Sequence, residues 1–338
     1  MQSISQNRSS ANTQLTLKGQ QLPIWPEAVR GGPNAILRSA LFSGIHSKKR
    51  KVLGSQTRPD KNPEGVAIAS QDGIEITFAG TQFNQYDADV FFETLHRARR
   101  HPLTAADKAA QCDFQGADFL KAIGRSTNNL SYEDLEQSLY RLRQGSIDLK
   151  WVANGRPYTF KGSLIGWYYR EDETRTYRVT FAKEILTLFS PASWTQLEWD
   201  ERMALKGKPL AQWLHSYFST HAAPFPVSVT FLHEKSGSPT TLLKHFKSEL
   251  KHAFASLELT LGWTVTWNRN LVSVCRKPSA AQTRHLGRKA ARAKSQKAAK
   301  EAQQRRQMNL PPYTPSTAPQ PGAMASTRQI LNGLLKTF

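Results

Sequence analysis

Apolar residues recur along this chain at intervals that switch between two and three-to-four, and the switches mark out a series of elements. Ile74, Ile76 and Phe78 alternate with polar positions, as a half-buried strand does. Over 86–99 the period lengthens, and Val90, Phe91, Leu95 and Ala98 fall on one helical stripe. A short helix is expected near 115–122, carrying Phe119, Leu120 and Ile123 and broken at Gly124. A longer one spans about 129–143, with Tyr132, Leu135, Leu139 and Leu142 at helical spacing. Ser131 with Asp134 resembles a capping box, so this helix starts there or a turn earlier. Strands over 146–152 and 156–169 flank Asn154-Gly155, a dipeptide suited to a tight hairpin turn with positive φ. A third strand near 175–181 and a helix near 183–189, with Ile185, Leu186, Leu188 and Phe189, follow.

The order then repeats. A helix near 208–220 places Leu210, Trp213, Leu214, Tyr217 and Phe218 on one face, and a short helix near 228–235 contains Val229 and Leu232. Ser236-Gly237-Ser238 makes a turn; with Ser238 as N-cap and Pro239 at the first helical position, a third helix should run to about 256. Its expected buried face is Leu242, Leu243, Phe246, Leu250, Phe254 and Leu257. Strands near 258–267 and 271–275 close a hairpin around Asn268-Arg269-Asn270. Helix, short helix, glycine turn, longer helix and hairpin thus occur twice, which predicts an α+β fold of two tandem winged-helix domains, residues 66–190 and 191–276. Residues 1–65 read mostly as an arm, with a short packed helix around Ala35, Ile36, Leu37, Ala40, Leu41 and Phe42. Residues 277–338 read as a tail, basic at first, then proline-rich, ending in a leucine-rich stretch.

Charge sharpens this picture through its location. The net charge is +20. Residues 66–189 hold fifteen basic against sixteen acidic side chains, whereas residues 1–65 hold ten against three and residues 276–306 eleven against one. Flexible basic tails on a balanced body suit a polyanion, since cations near phosphates release counterions. Charge alone does not separate DNA from RNA or an anionic membrane. No apolar run reaches the length of a membrane span, and the polar N-terminus lacks a signal-peptide core, which points to the cytoplasm. Cys112 and Cys275 stand far apart without metal-ligand spacing, so both are expected reduced.

In a helix–turn–helix unit the third helix enters the major groove. Opposite the leucines of the second such helix lie Thr240, Thr241, Lys244, Lys247, Ser248 and Lys251, with Arg269 at the hairpin tip as a wing contact to minor groove or phosphate. In the first unit, Arg125, Ser126, Thr127, Asn128 and Asn129 cluster at the corresponding turn, where short polar side chains and backbone N–H groups can grip phosphate; dimer contact is the alternative role. Arg141 and Arg143 close the following helix, consistent with its dipole. No P-loop, HxH or HExxH sequence occurs, and Asp87-Ala-Asp89 reads as a helix N-terminal charge effect rather than a metal site. A binding protein without catalytic residues, metal or cofactor is therefore expected. An operator-binding transcriptional regulator is one alternative, and a nicking or priming enzyme a disfavoured second.

Several segments resemble the TrfA family of plasmid replication initiators: Ile24-Trp25-Pro26, Pro33-Asn34-Ala35, Arg38-Ser39-Ala40-Leu41-Phe42, Ile76-Thr77-Phe78-Ala79-Gly80, Tyr140-Arg141-Leu142, and Leu205 through Ala211, Trp213, Tyr217-Phe218 and Ser219 to His221. The resemblance covers about residues 14–276. It implies binding to direct repeats (iterons) in double-stranded origin DNA, opening of an adjacent AT-rich region with single-stranded DNA as a further partner, and recruitment of a host helicase or its loader. It also implies a monomer–dimer equilibrium and a sliding-clamp motif, which Gln14, Leu15 and Leu17 match while Lys18 stands where an aromatic residue is expected.

Overall fold

The computed structural model describes residues 22–54, 65–70, 73–100, 109–153, 155–189 and 193–307. The expected clamp-docking segment at Gln14, Leu15 and Leu17 and the proline-rich and leucine-rich end lie outside these residues. The chain divides into one unit ending at Pro278 and a second beginning at Ser279.

The first unit opens with β1 (Val29–Pro33), a single helical turn α1 (Asn34–Leu37) and β2 (Phe42–Ser43); after a 3-10 turn at Ser47–Lys49 comes β3 (Val52–Leu53). β4 (Val66–Ile68), β5 (Ile74–Thr81) and β6 (Phe83–Asn84) lead into α2 (Gln85–Ala98), followed by β7 (Ala109–Gln115), α3 (Gly116–Ala122) and α4 (Asn129–Gln144). Next are β8 (Ser146–Ala153), β9 (Arg156–Gly162), β10 (Trp167–Glu171), β11 (Thr176–Ala182), a 3-10 helix over Lys183–Phe189, and β12 (Trp194–Glu198). α5 (Trp199–Ala204) joins this part to α6 (Pro209–Ser219), β13 (Val227–Ser228), α7 (Val229–Lys235), α8 (Leu243–Leu261), β14 (Thr264–Asn268) and β15 (Leu271–Cys275). The second unit contains α9 (Ala280–Gln307). No helix among the described residues is long and apolar enough to cross a membrane.

Apolar side chains of the first unit gather in two cores, one running from Leu22 to Trp199 and one from Leu205 to Val274. The two cores share a layout. In the first, α2 is followed by β7, α3, α4 and, after β8 and β9, the hairpin β10–β11; in the second, α6 is followed by β13, α7, α8 and the hairpin β14–β15. Each time the last strand lies in the middle of a three-stranded antiparallel sheet, in the orders β10-β11-β7 and β13-β15-β14.

Several sequence expectations change here. β8 and β9 pair as an antiparallel hairpin with Ala153 opposite Arg156, Asn154 of the expected turn lying outside the described residues, but β8 also pairs with β5, with Ile74 opposite Trp151. The hairpin that follows α4 in the repeated layout is β10–β11, so the strand expected over 156–169 is two strands in two sheets. The arm expected over residues 1–65 is, from Leu22 to Leu53, built into the first core: β1 pairs with β12, and Trp25 is buried with its Nε1–H donating to His96 Nδ1 at 2.9 Å. The helix expected across 35–42 stops at Leu37, because the Ser39 hydroxyl bonds Ile36 O and Leu41 N and turns the chain. Arg141 stands in the last turn of α4, as expected, and has a further role. With Arg50, Ser138 and the Asn84 N–H it binds the carboxylate of fully buried Asp87, which also completes the capping box of α2. The strand expected from 258 is instead the last turn of α8, closed by Gly262 at φ 65.

Arg202 of α5 joins the two cores and is completely buried. Its Nε donates to Asp89 Oδ1 at 2.6 Å, Nη1 to Ser216 Oγ and Gln212 O at 2.7 and 3.3 Å, and Nη2 to Gln85 Oε1 and O at 3.0 and 3.2 Å. All five guanidinium donors thus have acceptors. The family-like block adds a second fastening: Arg38 donates to Thr220 Oγ1 and O at 2.8 and 3.0 Å, and Trp213 Nε1 donates to Ser39 O at 3.0 Å.

Replacing Arg202 by Ala leaves a carboxylate buried without its counter-charge and should cost about 3–5 kcal/mol in denaturant unfolding; a decrease under about 1 kcal/mol would remove this pair as the inter-core fastening. A pH effect follows from the histidines. Burial, with Arg30 near one and Arg38 near the other, holds His96 and His221 at about 4, below their ordinary 6.5. The unfolded chain therefore takes up protons that the folded chain refuses. Stability should be full above pH 6.5 and fall progressively toward pH 4, and equal denaturant midpoints at about pH 7 and pH 5 would contradict this.

Candidate nucleic-acid interface

The second core presents the more basic surface. Ser228 caps α7 through Phe231 N, and the chain then turns at Ser236-Gly237. Gly237 has φ 64, and an added Cβ there would lie 2.9 Å from Ser43 Cβ; Gly44 N also donates to Ser236 O at 2.8 Å. Only glycine fits this left-handed turn against the 40–44 segment. That docking, with Ser238 Oγ accepting from Thr240 N, keeps residues 238–242 out of the helix, so α8 begins at Leu243 rather than at Pro239. Thr240 and Thr241 therefore lie before the helix, and Thr240 Oγ1 donates to Glu249. Leu242 and Leu243, expected in the core, are 52% and 37% exposed.

Phe246, Leu250, Phe254 and Leu257 bury one face of α8, while Lys244, Ser248 and Lys251 are exposed on the other. Lys247 reaches the hairpin turn, donating to Arg269 O and Asn270 Oδ1, each at 2.9 Å. Lys251 Nζ lies 5.9 Å from the Trp267 ring centre. Arg269 is exposed and held at φ 56 in the two-residue turn between Asn268 and Leu271. The helix face and hairpin tip thus form one continuous cationic surface. Two of three Lys247 donors serve the hairpin, so this residue fixes the surface as well as charging it. His245 and His252 are exposed on the same helix.

The first core is built alike but charged differently. The Arg125 guanidinium lies 4.5 Å over the Tyr86 ring, Ser126 Oγ meets Ser131 Oγ at 3.0 Å, Asn128 caps α4 through Ser131 N, and Asn129 Oδ1 accepts from Arg175. Most of this expected phosphate grip has local partners, with Thr127 exposed beside it. From Leu130 onward the exposed residues of α4 are Leu130, Glu133, Asp134, Gln137, Tyr140, Arg143 and Gln144. β10 ends at Glu171 and the turn after it carries Asp172, Glu173 and the exposed Arg175, at φ 53 with its guanidinium 4.2 Å from the Tyr132 ring centre, while Arg170 is paired with Glu136 and Asp172. Carboxylates there oppose phosphate approach.

One group absent from the sequence-level site comes from the N-terminal segment. Lys49 and Lys51 line an open cleft of about 460 Å³ together with Pro239, Thr240, Thr241, Leu242 and His245. The Lys48–Lys51 run is visible in the sequence, yet nothing in its spacing points to a turn some 190 residues later. The second unit is basic by itself: α9 carries nine Lys and Arg against Glu301, and its described side chains are almost all exposed.

The model of the family described as "TrfA protein" matches residues 6–277 of this chain. The plasmid replication initiator protein TrfA of Escherichia coli is 24% identical over 256 residues, covering 73% of this chain and 62% of that protein, so the chain spans about three fifths of that relative's length. Among solved structures, domains 2 and 3 of RctB align with a TM-score of 0.45 at 13% identity, covering 72% of this chain and 97% of that one. The Pi initiator protein in complex with iteron DNA aligns with a TM-score of 0.41 at 13% identity, covering 55% and 89%. The family match takes in both cores and ends just past β15, and the chain belongs to the TrfA family.

Proposed function

We propose that this protein initiates plasmid replication by binding direct repeats in double-stranded origin DNA, through two tandem winged-helix domains at about 66–190 and 191–276. The observation that carries the reading is the continuous cationic surface of α8 and the β14–β15 hairpin, in a chain of a family whose Escherichia coli relative is a plasmid replication initiator. On this reading α8 lies in the major groove with Lys244, Ser248 and Lys251 facing bases and phosphates, Thr240 and Thr241 precede it at the groove edge, and Arg269 reaches the flanking backbone. The first domain, with acidic residues on its third helix and hairpin turn, adds positioning contacts through Arg125 to Asn129 or meets a protein partner. Opening of an AT-rich segment, capture of the exposed single strand, recruitment of a host helicase or loader, a clamp contact at Gln14, Leu15 and Leu17, and a monomer–dimer equilibrium complete the proposal. The role is binding rather than catalysis, exercised in the cytoplasm.

Selection of binding sites from a random duplex library tests the reading directly. Recovery of a long motif that recurs as direct repeats beside an AT-rich plasmid segment is the expected result. Palindromic promoter sites would point to a dimeric regulator instead, and the absence of any motif would overturn sequence-specific binding. Replacing Lys244 and Lys251 with Ala should weaken binding and flatten the dependence of log K on log salt by about 0.9 for each phosphate left without its cation; an unchanged affinity and slope would take α8 out of the interface. Deleting residues 279–338, and with them the cations of α9, should lower affinity for random duplex while leaving the preference for selected sites intact. Disappearance of that preference would place recognition in the tail.

A further inference from the structure

The run Lys48-Lys49-Arg50-Lys51 is split by the fold into a buried anchor and a pair of exposed cations. The Arg50 side chain turns inward, only 14% exposed, and donates to Asp87 Oδ2 at 3.0 Å and Asn84 Oδ1 at 2.7 Å. Arg50 follows the 3-10 turn Ser47–Lys49 with an extended backbone, φ −62 and ψ 144, so its neighbours do not share its inward direction. Lys49 and Lys51 are both exposed, and both line the cleft with Thr240, Thr241 and His245. Among the described residues no carboxylate lines it directly, the nearest by hydrogen bonding being Glu249, which accepts from Thr240 Oγ1. The backbone carrying the two lysines is fixed at both ends. Gly44 N bonds Ser236 O, Asn84 Nδ2 bonds Ile45 O and Ser47 Oγ, Gln82 N bonds Lys51 O, and β3 pairs with β5. The lysines are therefore presented on a bonded strap rather than a loose arm, at a set distance from the start of α8.

We infer that Lys49 and Lys51 form a phosphate clamp that grips the same duplex as α8, just beyond the N-terminal end of that helix. The inference rests on the proposed reading of α8 as a DNA-reading helix. The occupant is the sugar–phosphate backbone of double-stranded DNA: the cleft is open, cationic and continuous with the α8 surface, as a duplex running past the helix start requires. The DNA site is then composite. Its base-facing groups come from the second core and part of its phosphate grip from residues fastened to the first, so one bound duplex bears on both cores at once. Contacts of this kind set register without reading sequence.

The test uses the full chain and compares K49Q/K51Q with a charge-matched control, K150Q/K161Q, whose lysines lie on the β8–β9 hairpin. Binding to a random-sequence duplex, to the duplex recovered by site selection, and to a single-stranded oligonucleotide is followed over a range of salt. In the strap variant the salt slope should fall by about 0.9 for each of the two lysines, with both duplexes weakened by the same factor and their ratio kept; the control should keep the wild-type slope. Equal effects in strap variant and control would reduce the lysines to general charge, and an unchanged slope, or an effect seen only with the single strand, would overturn the clamp. Failure of the wild-type chain to distinguish selected from random duplex would instead overturn the proposed function, while the slope on random duplex still reads the clamp.

Discussion

The arrangement of this protein depends on a pair of carboxylates two residues apart near the start of α2. On a helix, positions i and i+2 point to nearly opposite sides. Asp87 thus faces Arg50, Arg141 and Ser138, holding the N-terminal strap and α4, while Asp89 faces Arg202, holding the second core. Burying these charges is costly unless each is paired and its remaining hydrogen-bonding sites are filled. Arg202 meets that condition through Asp89, Gln85, Gln212 and Ser216. Such a pair adds little net stability compared with apolar packing, but it tolerates few alternatives. Only one placement of α5 and α6 against α2 brings all those acceptors to one guanidinium.

That placement explains the family-like block at Arg38–Phe42. Its residues carry no chemistry of their own. Arg38 binds the turn after α6, Ser39 O receives Trp213, and the apolar side chains of Leu41 and Phe42 enter the first core. A segment that touches both cores can change little without disturbing their relation, so a recognisable pattern resides in a packing joint rather than in the expected contact surface. The strap that leaves this joint carries Lys49 and Lys51 to the cleft before α8.

Two cores of one layout differ in surface charge, the first mixed and the second mainly basic. Lysines line the exposed side of α8, whereas Glu133 and Asp134 stand on that of α4. Each hairpin turn holds an exposed arginine at positive φ, Arg269 in one and Arg175 in the other, but only in the first core do Glu171, Asp172 and Glu173 stand beside it. On the proposed reading the polyanion is met mainly by the second core, and the near-neutral balance of residues 66–189 is the linear trace of this division.

Much of the architecture was legible from periodicity and turn chemistry, because those signals are local. The stripes of α2, α4 and α6, the β8–β9 pairing, the tight turn at Arg269-Asn270 and the exposed lysine face of α8 each depend on residues within a few turns of one another. What stayed hidden needed a partner distant in sequence. β1 is a strand only because β12 lies beside it, and the hairpin packed in the three-stranded sheet of the first core is β10–β11 only because β7 pairs with β11. α8 starts late because Gly237 docks on the 40–44 segment, which local capping signals at Ser238 and Pro239 do not sense. Most of the elements, their repeated order and the location of charge thus follow from neighbours along the chain. Which charges became buried fastenings, as Arg50 and Arg202 did, and which were left exposed, as Lys49 and Lys51 were, was settled only by folding. A side chain's solvation depends on what packs against it in space, and the linear order of residues does not carry that information.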